Sequence, residues 1–169
     1  MRSLWQKFIS LFVWCCCIGL LFPSPALSQA QYYPPPLSYS NAELMGKDFS
    51  GQDLCAAEFS NANLVMTDFH DATLQGTIFS ASVMTDANLQ GADLTNAMLD
   101  QVNLTGGSLR NAILVDAILL RTNFQDVDIT GADFSYAILD GAQVRELCTK
   151  AKGVNPTTNV ATRESLQCR

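Results

Sequence analysis

From Leu44 onward a large apolar residue recurs at every fifth position. The series is Leu44, Phe49, Leu54, Phe59, Leu64, Phe69, Leu74, Phe79, Met84, Leu89, Leu94, Leu99, Leu104, Leu109, Leu114, Leu119, Phe124, Ile129, Phe134, Leu139 and Val144, which is 21 consecutive hits without an insertion. Two residues before each lies a small or medium side chain, most often alanine, as at Ala57, Ala62, Ala92, Ala132 and Ala142. The residue between them is usually Asp, Asn or Glu. A helix would place apolar residues three and four apart and a strand would place them two apart, so period five is neither. A unit of five residues cannot bury its own apolar face, and copies must stack to do so. The large residue and the small one before it therefore point inward, where each fully buried Leu or Phe contributes roughly 1.5–3 kcal/mol.

The consensus A-[DN]-L-x-x, seen at Ala92-Asp93-Leu94 and Ala132-Asp133-Phe134, resembles the pentapeptide-repeat family from residue 42 to about residue 146. The resemblance implies an all-β solenoid, a right-handed quadrilateral β-helix of 21 pentapeptide repeats with four to a coil. About five coils at a strand spacing of about 4.8 Å make a tower roughly 25 Å tall. Each residue then lies over the one 20 positions earlier, and Leu44, Leu64, Met84, Leu104, Phe124 and Val144 form one inner column. The first coil is untidy, with Lys47 and Gln52 in the small-residue slot, as terminal repeats commonly are.

Past Ala142 the spacing changes. Val144, Leu147, Cys148 and Ala151 recur at three and four residues, which predicts a short α-helix growing out of the last repeat. Gly153 reads as its stop, Asn155-Pro156 as a cap and first-turn proline, and residues 160–167 as a second helix. The repeats thus occupy 42–144 and a helical cap 145–169. Open coil edges invite association unless covered; the cap covers the C-terminal edge, and the N-terminal edge has no comparable cover. Cys148 and Cys168 fall one on each helix, and a bridge between them would close a long loop and stabilise the cap by about 3 kcal/mol. The run from Leu147-Cys148 through Gly153-Val154-Asn155-Pro156 to Thr162–Cys168 resembles the cap of exported pentapeptide-repeat proteins from cyanobacteria and the thylakoid lumen. That resemblance implies a disulfide-linked cap and a lumenal or periplasmic home, with a molecular function unassigned across the group.

The N-terminal stretch agrees with export. Arg2 and Lys7 precede the apolar run 8–22, Pro23 and Pro25 break it, and Ser28-Gln29-Ala30 offers a small-x-small cleavage site. Residues 1–30 read as a signal peptide, too short in its apolar run to favour a membrane anchor. Cys15, Cys16 and Cys17 would leave with it. Residues 31–41, with Pro34-Pro35-Pro36 and three tyrosines, read as a linker of polyproline type. Cys55 follows the inward Leu54 and should face outward as a free thiol. The chain carries a formal charge of −6, and loss of Arg2 and Lys7 would make it more negative. A nucleic-acid partner bound through phosphates needs a basic face, so none is expected.

Candidate chemistry is sparse. His70 is the only histidine and is flanked by Asp68 and Asp71, with Asp48 expected below Asp68. A zinc site wants three or four converging ligands, so neither a metal nor any other cofactor is expected. There is no glycine-rich phosphate loop, no Ser/His/Asp arrangement and no Cys-x-x-Cys, and a filled tower offers no concave water-excluding site for an enzyme. One departure from the polar exterior stands out. Ile113, Val115, Ile118, Leu120, Tyr136 and Ile138 occupy outward slots on the upper two coils and form a candidate interaction patch; stacked β-branched residues supporting their own sheet are the alternative. The sequence therefore reads as a non-catalytic structural or protein-interaction module, a monomer or a weak dimer, with an unidentified protein partner and no stable membrane anchor. An acidic mimic of DNA, as in gyrase-inhibiting members of the family, is the second reading.

Overall fold

The computed structural model describes residues 36–169; the proposed signal segment and the first part of the linker lie outside the described residues. From Ser38 to Ile138, the residue just ahead of each inward side chain pairs in parallel with the residue 20 positions later. Ser38 pairs with Glu58, Glu43 with Asn63, Asp48 with Asp68 and Asp53 with Thr73, and the series ends with Ile118 on Ile138. Four pentapeptides make each coil, and the bridges form four walls. Wall 1 carries Ser38, Glu58, Ile78, Met98, Ile118 and Ile138; wall 2 runs from Glu43 to Asn123, wall 3 from Asp48 to Asp128 and wall 4 from Asp53 to Asp133. The side chains inside the walls from Leu54 to Phe134 are at most 2% exposed.

Two devices turn the corners. An Asp or Asn on the wall accepts a hydrogen bond from the amide two residues on, as Asp48 Oδ1 does from Ser50 N (2.9 Å), Asp93 Oδ1 from Thr95 N (3.0 Å) and Asp128 Oδ1 from Thr130 N (2.9 Å). The following corner residue has a positive φ at every fifth position from Asn41 to Tyr136. Gly, Asn and Asp tolerate that conformation best, which is why they crowd this slot. Where Thr replaces Ala in the small slot, its hydroxyl donates to a carbonyl of the coil below: Thr67 to Leu44 O at 3.2 Å, Thr77 to Leu54 O at 3.1 Å, and Thr122 to Leu99 O. The buried hydroxyl is thus hydrogen-bonded rather than left to its desolvation penalty.

The boundaries differ from the sequence reading at both ends. The end of the linker joins the tower: Ser38 bridges Glu58, and the Tyr39 ring stacks on Phe59 with centroids 4.8 Å apart. Tyr39 stands five residues before Leu44 and so extends the inward series by one unit into the expected linker. At the other end, helix α1 spans Gly141–Lys150, so Val144 lies in a helix and not in a last β-unit. The reason is local. Asp140 caps the helix by accepting from Ala142 N and Gln143 N, and Gln143 Oε1 accepts from Asp140 N in return, a capping box. The second helix, α2, is shorter than expected, at Thr162–Ser165. Asn155 does not cap a helix. Its Oδ1 accepts from Thr157 N and Thr158 N in a turn, while its Nδ2 donates to Asn111 O and Ala112 O.

The cap meets the backbone of the last coil at five points. Gln143 Nε2 donates to Leu119 O (2.8 Å) and Thr122 O (2.9 Å), and Lys150 Nζ to Phe124 O (2.7 Å). Gly131 N donates to Lys152 O (2.9 Å) and Phe134 N to Ser165 Oγ (3.0 Å). The Cys148–Cys168 disulfide ties α1 to the turn after α2, with Cα atoms 5.6 Å apart.

Candidate interaction surface and cleft

The six apolar residues singled out in the sequence divide between two adjacent walls. Ile113 lies on wall 4 between Asp93 and Asp133; Ile118 lies on wall 1 between Met98 and Ile138. Tyr136 is 82% exposed and Ile138 48%. Ile113, Val115, Ile118 and Leu120 are half-buried, because neighbours above and below in each column cover their flanks. The wall 1 ladder of apolar outward residues is longer than the six residues suggest, running Ile78, Met98, Ile118, Ile138. Met98 is 37% exposed and belongs to the same face.

Where the last coil of wall 1 meets the cap there is a cleft of about 290 Å³, lined by Phe134, Tyr136, Ala137, Leu139, Val144, Ser165, Leu166 and Gln167. The sequence reading expected no concavity in the filled tower, and this one lies beneath the cap. The cleft arises because α1 leaves the tower at Gly141 and the chain returns only at α2, so wall 1 receives no further coil. Its lining holds no carboxylate, imidazole, amine or thiol, which leaves it without an acid–base pair.

The other candidates are surface features. His70 Nδ1 lies 3.0 Å from Asp68 Oδ1, with both side chains partly exposed. No group of three or more metal-ligating side chains converges among the described residues. Cys55 is an exposed free thiol. Its hydrogen bond to Asp53, with some burial, pushes the thiol above its ordinary value, which disfavours the reactive thiolate.

Hydrogen bonds also set the acidity of the walls. Those from Ser50, Cys55, Ser80 and Thr130 hold the carboxyls of Asp48, Asp53, Asp100 and Asp128 below the ordinary 3.8. A carboxyl whose charged form the fold favours contributes stability above the unfolded value and loses it as pH falls through the depressed native value. His70 has the opposite sign. Its hydrogen bond with Asp68 raises the imidazole above 6.5, so its contribution is complete below that pH and vanishes as pH rises through the raised value. The expected thermal midpoint is therefore sustained through neutral and mildly acidic pH and falls once pH drops below about 3.8, the unshifted carboxyl value. A midpoint unchanged to pH 2 would show that these corner bonds hold equally well to neutral carboxyls.

Comparison with known proteins agrees with this architecture. A family profile described as Pentapeptide repeats (8 copies) matches residues 40–71, 67–106 and 108–141. The crystal structure of a pentapeptide repeat protein from the Arabidopsis thaliana thylakoid lumen superposes with a TM-score of 0.77 at 40% identity, covering 78% of this chain and 91% of that one. A 40-residue stretch is 55% identical to thylakoid lumenal protein TL20.3, chloroplastic, of Arabidopsis thaliana. That stretch covers 24% of this chain and only 14% of that relative's length. The chain belongs to the pentapeptide-repeat family, whose fold is the right-handed quadrilateral β-helix, and is homologous to lumenal members of it.

Proposed function

We propose that this protein is a non-catalytic interaction scaffold of an exported compartment, the thylakoid lumen in preference to a periplasm. The observation that carries the reading is the apolar ladder of wall 1, in which Ile78, Met98, Ile118 and Ile138 occupy a slot that is mostly polar on the other three walls. An exposed apolar face on an otherwise hydrophilic tower suits a protein partner. Homology to lumenal proteins, the secretory pattern of residues 1–30 and the Cys148–Cys168 disulfide support the compartment, since disulfides persist in oxidising spaces. The DNA-mimic reading is less well supported. Residues 36–140 hold 14 acidic and three basic side chains, but 141–169 hold five basic and two acidic ones. The cap thus interrupts the acidic surface such a mimic needs.

The test is capture of partners from the organism's own lumenal extract. Met98→Asp combined with Ile138→Asp puts charge on the two most exposed rungs, which lie two coils apart and do not face each other. The doubly substituted protein is expected to fold, with an unchanged circular-dichroism spectrum, and to lose the dominant captured protein. Capture equal to that of the unsubstituted chain would remove wall 1 as the interface.

A further inference from the structure

The cap leaves the last coil of wall 1 unfinished. In the coil below, Asp116 N donates to Ser135 O, Leu119 N to Ile138 O, and Ala117 O accepts from Ile138 N. The equivalent groups one coil higher are Tyr136 N, Leu139 N and Ala137 O, and they have no hydrogen-bond partner among the described residues. Gln143, Lys150, Lys152 and Ser165 serve Leu119 O, Thr122 O, Phe124 O, Gly131 N and Phe134 N. Phe124 N and Ile129 N on walls 2 and 3 are also without a partner among the described residues, and wall 1 differs in the cleft that lies over its edge. The same three residues, Tyr136, Ala137 and Leu139, line the cleft beneath the cap, with Val144 and Leu166 opposite.

Tyr136 adds an independent observation. It occupies a corner slot at φ 60°, where a bulky side chain is strained and glycine or asparagine is at ease. Its ring is 82% exposed, so burial within its own chain does little to offset that strain. An aromatic ring held at the rim of an unpaired edge has the character of a docking anchor.

We propose that this edge receives an extended, uncharged segment of a partner protein, which adds to wall 1 as its next strand. Backbone groups of the segment would pair with Tyr136 N, Ala137 O and Leu139 N. One apolar side chain would enter the cleft over Leu139, Val144 and Leu166, and its neighbour would extend the Met98–Ile118–Ile138 ladder outward. The chemistry of the occupant follows from what it meets. An open sheet edge selects an extended backbone, and a cleft without charged lining, beside a ladder without charged rungs, selects uncharged side chains. This inference rests on the reading of the protein as an interaction scaffold and specifies where one contact is made.

The experiment is a selection of random eight-residue linear peptides displayed on phage, against the oxidised protein. The expected outcome is enrichment of uncharged sequences with alternating apolar positions. Synthetic copies of the enriched peptides should bind at least tenfold more weakly to the Val144→Trp variant, in which an indole fills the cleft. N-methylation of the central peptide amides, which leaves the protein untouched, should weaken binding equally. Hydrogen exchange at the Tyr136 and Leu139 amides should slow on binding. No enrichment, enrichment of charged peptides, or binding indifferent to N-methylation would overturn strand addition. Loss of the edge contact with capture through Met98 and Ile138 intact would refute this inference and leave the scaffold reading standing.

Discussion

Phe59→Ala is expected to destabilise the tower by about 3–5 kcal/mol, the range for a phenylalanine removed from a packed core. Phe59 is fully buried. It stacks between Tyr39 (4.8 Å) and Phe79 (5.2 Å) and meets Phe49 and Phe69 edge-on at 5.8 and 5.6 Å. The adjacent side chains are held by coil-to-coil hydrogen bonds, so the cavity cannot collapse without breaking the ladder. In a solenoid each coil contacts only its neighbours, and the loss should therefore be felt unevenly. Residues 38–57 form the terminal coil, and without Phe59 over Tyr39 and against Phe49 they are expected to open first. Hydrogen exchange resolved by segment provides the measurement. Protection should fall in the first coil by more than around Leu99 or Leu104, which lie two coils further up. A uniform loss along the tower would mean that the coils unfold as one unit.

The disulfide gives the second large effect. Cys148 and Cys168 are 20 residues apart, and a loop of that size corresponds to about 3 kcal/mol in the chain-entropy account. The stabilised unit is the cap, because neither cysteine lies in the coils. Reduction, or Cys168→Ser, is expected to leave the tower folded while α2 and the segment before it open more often. Trypsin reads this directly, since Lys152 and Arg163 lie inside the bridged segment and Arg163 is held by a 2.9 Å hydrogen bond from Nη1 to Cys148 O. A 3 kcal/mol change corresponds to about a hundredfold faster cleavage at these sites when opening is rapid relative to proteolysis. Equal rates in the oxidised and reduced proteins would show that Asn155, Leu166 and Ser165 hold the cap unaided.

Most of the tower was legible in the residues because its core repeats without a gap. Inward Leu and Phe at period five required stacking, and the family resemblance supplied four units per coil. The corner slot was legible too, but the sequence reading did not use it. Asn41, Gly46, Gly51, Asn61 and Asp71 already form a series of residues that accept positive φ. Its exceptions, Ala56, Met66, Ala81, Gln101, Arg121 and Tyr136, are visible only once the slot is known. Two boundaries were missed for opposite reasons. Tyr39 reads as part of the Pro/Tyr-rich linker although its ring belongs to the phenylalanine column. Val144 was included as apolar although Asp140 and Gln143, three residues apart, spell a helix start. The cleft had no signal in the pattern, because it depends on where α1 leaves the last coil and where the chain comes back. The patch is legible from register, which marks the outward slots but does not separate half-buried Ile118 from exposed Met98.

The cap grips the last coil through main-chain atoms: Leu119 O, Thr122 O, Phe124 O, Gly131 N and Phe134 N. Every coil presents the same main-chain groups, whatever side chains it carries. Such a terminator would fit a shorter or taller tower equally well, so duplication or deletion of one 20-residue block changes the height without redesigning the end. Gene-level changes in multiples of five codons, and of twenty above all, are then the neutral currency of this fold. The length of the wall available to a partner can drift between relatives while the closing piece stays the same.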